Sequence, residues 1–491
     1  MKRIRFTYLI AAALSASMLF SAAACSANTI QGTTVNAQVS STSNNSSDKE
    51  LSNYNDSEHV IEVKGETAEY SGITVAKTGS SSAGDEADFY GDNAAVFATD
   101  KATLTLKNVT VNTDGKHANA VFSYGEGTTV NISDSTITTK GDCSGGLMTT
   151  GGGTMNATNL NIHTTGNSSA AIRSDRGGGT VNVDGGTYVT DGQGSPVIYS
   201  TADITVSNAS LESTSSQGVV VEGKNSVALK NANLIADNNT QNSDKSSWYQ
   251  AVMIYQSMSG DASVGLASFT MNGGSLTNKK GDVFFVNNTA ANITLENAEI
   301  VNQDTSGVFL RACAAGWGTE GSNGGKVNLY LKDQTLSGDI IVDSVSVLNM
   351  YMTSKSTYTG AVNADNKGQV YVEIGSGSKW VLTGDSYVTS LKCDADAIDL
   401  NGHKLYVNGK EYSAGTASEG TAIEIKTESS SNGQPDGKMP QGEPPSGDKP
   451  AGDPPEKPQG DPPSGNPPSG DPPSGGPGDG NGGQPPEQNS N

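Results

Sequence analysis

The chain has 491 residues and a formal net charge of −22, with 60 Gly, 6% aromatic residues and only 30 Lys and Arg. So acidic a chain offers no electrostatic surface for nucleic acid, since phosphate binding needs clustered Lys and Arg. Its length would hold several compact domains, but a regular internal period argues for one elongated body.

Residues 1–25 have a basic start, an apolar centre and small residues before Cys25, the pattern of an export signal too short to span a membrane. Cys25 directly follows Ala22, Ala23 and Ala24, which resembles the lipobox of bacterial lipoproteins, with Ala22 standing where Leu is preferred. The resemblance implies acylation of the Cys25 thiol and anchorage to the outer face of the cell membrane. Ordinary leader cleavage around Ala24 or Ala27, with secretion, is the other reading. Loss of Lys2, Arg3 and Arg5 with the leader takes the mature charge to −25. Residues 26–58 are Ser, Asn, Thr and Gln with almost no apolar clusters, so a flexible tether is expected.

From residue 59 to 427 one phrase keeps returning, as LTLKNVTV, VNISDSTI, MNATNLNI, VNVDGGTY, ITVSNASL and VALKNANL. Its last apolar residue is an anchor at Val111, Ile137, Ile162, Tyr188, Leu211, Leu234, Leu276, Ile300, Leu336, Tyr358 and Trp380, with outer copies at Val75 and Leu405. Most steps are 22 to 26 residues, the size of a supersecondary unit that cannot bury its own apolar face. Three residues before each anchor stands Asn, Asp or Gly, except at Lys355. Those residue types accept left-handed backbone angles at least cost, so one tight corner per period is predicted. Lys355 reads as a strained or shifted corner, because Met350 and Met352 before it have slipped by one place. A third run follows each phrase, as AVF at 120, AAI at 170, GVVV at 218, VFF at 283 and GVFL at 307. Three short strands per turn in stacked copies give an all-β, single-stranded, right-handed parallel β-helix of about 13 coils, roughly 58 Å long at ~4.8 Å per rung.

Repeats of this kind resemble the right-handed parallel β-helix superfamily that includes pectate lyases and adhesin-like bacterial surface proteins. The resemblance covers about three quarters of the chain and speaks to architecture far more than to activity.

Three steps are long and mark loops leaving the rod, around GSSSAGDEADFYGD, DNNTQNSDKSSWYQ and AAGWGTEGSNGG. Loops on a rigid scaffold are where function usually sits. Residues 428–491 are dominated by PPSGD-like pieces, which block strand ladders and imply a disordered spacer or wall-contacting arm.

Pectate lyases resembling this architecture use carboxylates that hold calcium and a basic residue, commonly Arg, that removes a proton. After the leader only Arg173, Arg176 and Arg311 are available. Arg173 and Arg176 flank Asp175 and read as a local surface ion pair. Arg311 follows GVFL and precedes the third loop, where it can face a ligand. No carboxylate cluster beside either is visible in the sequence, so a polysaccharide lyase or hydrolase is the alternative and not the first reading. The first loop's Asp85, Glu86, Asp88 and Asp92 are a candidate calcium site or else solvated loop charges; Asp394, Asp396 and Asp399 have similar standing. Trp248, Tyr249 and Tyr255 lie in or beside the second loop and Trp317 in the third, where aromatic faces either stack on sugars or fold back over the rod. Trp380 belongs to the core or an end cap. Cys143, Cys313 and Cys393 show no zinc spacing and are expected as free thiols, and the four His suggest no catalytic set. The sequence therefore predicts a monomeric, non-enzymatic, adhesin-like or carbohydrate-binding surface lipoprotein. Its ligand contacts are Trp248, Tyr249, Tyr255, Arg311 and Trp317, with a glycan or cell surface as partner and calcium as the one cofactor in view.

Overall fold

The computed structural model describes residues 50–427. Cys25 and the 428–491 tail lie outside the described residues. The described chain winds as a parallel β-helix with three faces, here sheets 1, 2 and 3, visited in that order from Thr67 to Val342, after which the last coils no longer enter sheet 3. Sheet 1 holds the first half of each repeated phrase and stacks thirteen rungs in parallel register, from Thr67–Ser71 to Ser390–Cys393. Sheet 2 carries the anchors, and Val75, Val111, Ile137, Ile162, Tyr188, Leu211, Leu234, Leu276 and Ile300 pair one above the next. Its ladder breaks at the third loop and resumes as Leu336, Tyr358, Trp380 and Ile398. Sheet 3 stacks eleven strands from Ile61–Lys64 to Asp339–Val342.

The corner between sheets 1 and 2 follows the sequence rule. All of the Asn, Asp and Gly positions three before the anchors have positive φ, from 48° at Asn297 and Asp333 to 84° at Gly402. Lys355 obeys it too, with φ 65°, because Ser354 at φ 54° adds a second left-handed residue that absorbs the one-place slip of Met350 and Met352. A second corner, between sheets 2 and 3, repeats the pattern Thr-x-Gly-x-x-Ser. Ser144, Ser169 and Ser195 accept the backbone N–H of Ala118, Ser144 and Ser169 at 3.0, 2.9 and 2.9 Å. Thr139, Thr164 and Thr190 donate to the carbonyls of those serines at 2.6, 2.5 and 2.6 Å. Such ladders satisfy polar groups that the rung stacking would otherwise bury unpaired.

Three expectations are corrected. The rod already includes Glu50–Asn53, within the stretch expected as tether, because Leu51 continues the anchor ladder beneath Val75. Leu405 is not the next anchor after Trp380; it pairs with Ser386 in a small end sheet, and Ile398 takes the anchor place. A fourth excursion, residues 256–265, leaves the rod within the long step from Leu234 to Leu276.

Sheets 1 and 2 alternate inward apolar and outward polar residues, as in Thr103–Lys107 and Thr136–Thr139. Sheet 3 does not. Val96–Thr99, Leu147–Thr150, Val219–Glu222 and Asp282–Asn287 are buried at every position. Strands buried on both sides read as continuous apolar runs, which is why AVF, VVV and VFF lack alternation. The loops cover the outer side.

Candidate functional site

The outward column of sheet 3 runs in register through Phe97, Phe122, Met148, Arg173, Tyr199, Val220, Met253, Phe285, Arg311 and Ile341. Its apolar members form two clusters distinct from the rod's interior: Phe97, Phe122 and Met148, then Val220, Met253 and Phe285 with Cys313. Above Glu62, which pairs with Phe97 at the start of the column, the two arginines are the charged members, and each is met by a carboxylate.

The second cluster is roofed by Trp248 and Trp317 from the second and third loops, with Tyr199 and Tyr255 alongside. Trp248 lies 5.8 Å from Phe285, and Tyr255 meets Trp317 edge to face at 5.3 Å. The aromatics therefore fold back over the rod while leaving a cleft of about 110 Å³ between them. Gln217, Gln241, Asn242 and Tyr249 line it together with both Trp. Asn323 holds the third loop by donating to the carbonyls of Ala315 and Trp317 at 2.7 and 2.8 Å. Beneath the cleft, Glu222 accepts hydrogen bonds from Tyr199 at 2.5 Å and Tyr255 at 3.1 Å, and from Ser257. Burial and the Glu222 charge raise both phenols well above their ordinary range, so they stay protonated donors. The Nζ of Lys280 stands 4.5 Å from the Tyr249 ring centroid.

Arg311 is committed. Its Nε sits 2.5 Å from Asp282 Oδ2 and its NH2 donates to Oδ1 at 3.3 Å, while its guanidinium carbon lies 4.9 Å from the Trp248 ring centroid. Burial raises the Asp282 carboxyl against the opposing pull of Arg311. The arginine thus props the Trp248 ring and presents no free nitrogen base.

At the other cluster, the first loop forms a short helix, α1 (Asp85–Tyr90), ended by left-handed Gly91. Asp85 and Glu86 point to solvent, whereas Asp88 is buried. The four acidic residues do not converge as the calcium reading requires; among the described residues, Asp88 instead gathers with His117 and Cys143, their ligand-type atoms all within 4.8 Å. Asp88 also faces Arg173 at 3.3 Å, and Arg173 Nε lies 2.7 Å from Asp175. Arg173 is 15% exposed and Asp175 7%, so the expected surface pair is a buried network, because α1 lies over it. Arg176 does not share it. It reaches Asp261 in the 256–265 excursion at 2.9 Å and lies 3.9 Å over Phe89 of α1.

Sequence reasoning missed this network because Asp88 and Arg173 are 85 residues apart. One signal was present: His117, Cys143, Ser168 and Gly194 fill the same slot of the repeated second corner, all at positive φ between 54° and 64°. Cys143, Cys313 and Cys393 are free thiols. Trp380 is fully buried and its Nε1 donates to Gly360 at 2.9 Å, as a core anchor should. Comparison with protein-family models, with curated proteins and with solved structures returned no match.

Proposed function

We propose that the chain is a cell-surface, adhesin-like carbohydrate-binding lipoprotein, anchored by lipid at Cys25, that binds glycans through the loops over sheet 3 and performs no chemistry on them. The observation carrying this reading is the cleft between the second and third loops. There the Trp248 and Trp317 side chains stand beside the amides of Gln217, Gln241 and Asn242. Sugars present flat C–H faces and rings of hydroxyls, and aromatic side chains next to amides match both. Sheet 3 fixes the geometry, so little ordering entropy is lost on binding. The capture of Arg311 by Asp282 favours binding over lyase chemistry, which needs a basic group free to take a proton.

The test is a pull-down of the mature chain on a panel of insoluble polysaccharides, followed by a glycan array. Binding that falls by about tenfold or more in Trp248→Ala and Trp317→Ala, a loss of ~1.4 kcal/mol each, supports the cleft. Binding unchanged in both variants overturns it. Unsaturated products or new reducing ends from any of these polysaccharides would overturn the non-enzymatic reading.

A further inference from the structure

We propose that Asp88, His117 and Cys143 form a three-ligand site for a divalent transition metal of the zinc type, at the corner where α1 meets the rod. The geometry starts from rung stacking. His117 and Cys143 occupy one slot in successive coils, so their side chains leave the backbone about 4.8 Å apart and in the same direction. α1 then lowers Asp88 onto the pair. The three ligand atoms lie within 4.8 Å of one another, and Asp88 Oδ1 is 3.2 Å from His117 Nδ1. Two ligands on a tetrahedral ion, with bonds of about 2.0–2.1 Å, stand roughly 3.3 Å apart.

A second observation points the same way. His117 is 2% exposed, yet its Nδ1 makes no hydrogen bond of acceptable geometry despite its nearness to Asp88. A buried ring nitrogen aimed at a carboxylate without a hydrogen bond suits a shared cation between them. The outer shell is already built. Asn119 Nδ2 donates to Asp88 Oδ1 at 3.1 Å, and Arg173 holds the other carboxylate oxygen at 3.3 Å. Ligating carboxylates are typically held this way.

Charge also favours a cation here, because Asp88 and Asp175 face a single guanidinium, that of Arg173. Binding M²⁺ displaces the Cys143 proton: M²⁺ + Cys–SH gives (M–S–Cys)⁺ and one H⁺, and the Asp88 carboxylate offsets the remaining charge. The mixed O, N and S set selects a zinc-like ion, because calcium takes six to eight oxygens. Three protein ligands leave the fourth position to water or a small anion.

The test titrates the chelator-stripped mature chain with Co²⁺. The expected result is one equivalent bound, with a thiolate-to-cobalt charge-transfer band and one proton released. Zn²⁺ should displace it. Cys143→Ser and His117→Ala should lose the band and weaken binding by more than about 100-fold, beyond the range for outer-shell partners. Cys313→Ser should keep both. No band in the unmodified chain overturns the proposal whatever the variants do, as does a band that survives Cys143→Ser.

Discussion

Asp175→Asn removes one partner of a buried arginine and should nevertheless stabilise the rod at alkaline pH. Burial raises the Asp175 carboxyl to about 7, with Arg173 opposing and Asp88 adding to the rise. An acid whose folded-state pKa exceeds its unfolded value of 3.8 binds more protons when folded, so stability falls as pH rises between the two. At ~1.4 kcal/mol per unit, the loss by pH 8 is on the order of 4 kcal/mol. Asn at this position keeps an amide beside Arg173 Nε without adding a charge, and Arg173 keeps Asp88. Asp88 runs the other way: burial raises it, but Arg173, His117 and Asn119 outweigh burial and hold it below its ordinary range. Its contribution is present above the ordinary carboxylate range and lost as pH falls through its folded-state value. Thermal unfolding of chelator-treated protein should therefore show the wild type declining between about pH 4 and 7 while Asp175→Asn stays level. The variant should match the wild type near pH 4 and exceed it from pH 7 to 8. A variant that is less stable than wild type at pH 8, with a parallel decline, refutes the shared-guanidinium account.

Gly141→Ala should be far more damaging than Gly72→Ala. A Cβ at Gly141 would lie 2.0 Å from the Gly115 carbonyl oxygen of the rung below, whereas one at Gly72 meets nothing within 4 Å and costs only the ~1–2 kcal/mol of left-handed strain. Comparable melting temperatures for the two would count against the rung spacing at the second corner. Ser169→Ala leaves the Ser144 N–H without its 2.9 Å acceptor and should cost about 1–3 kcal/mol in denaturant unfolding. An effect near zero would mean the serine ladder is not what satisfies that corner. Burial raises the Cys143 and Cys313 thiols to about 11 and 12, so neither should react with a disulfide reagent at neutral pH until the chain unfolds. Rapid labelling of either in the metal-free native protein would contradict that burial.

The fold was legible because one corner per coil needs φ > 0, and Asn108, Asp134, Gly185 and their successors advertise it. The interior was legible because two of the three faces alternate, so Leu104, Leu106 and Val111 announce which side is in. The middle of sheet 3 was readable only as a run, since strands such as Val96–Thr99, Val219–Glu222 and Asp282–Asn287 are covered on both sides and carry no period. What the sequence hid is contact across coils through loops. Asp88 reaches Arg173, and Asp261 reaches Arg176, each across 85 residues. No local pattern encodes which way α1 folds, because its six residues are too few to set a direction. The rim of Leu405 misled for a related reason: its Gly402 corner has the correct φ of 84°, but among the described residues no further coil follows to fix the register, and Leu405 pairs with Ser386 instead.

The roof over sheet 3 also explains why charged residues occupy an otherwise apolar column. Arg173 stands under α1 and Arg311 under Trp248, each with a carboxylate in reach, and each sits where a loop must be held at a definite height. An aliphatic residue would bury area but would leave the loop free to slide, since dispersion contacts have no preferred direction. A guanidinium with two fixed hydrogen-bonding edges does have one. Arg176 extends the same logic, tying α1 through Phe89 to the 256–265 excursion through Asp261. Loops fastened at directional points on a stacked rod keep their aromatic and amide groups in place before any ligand arrives. Under the proposed glycan-binding reading, that rigidity suits a shallow cleft of about 110 Å³ to a large, hydrated partner without a deep pocket.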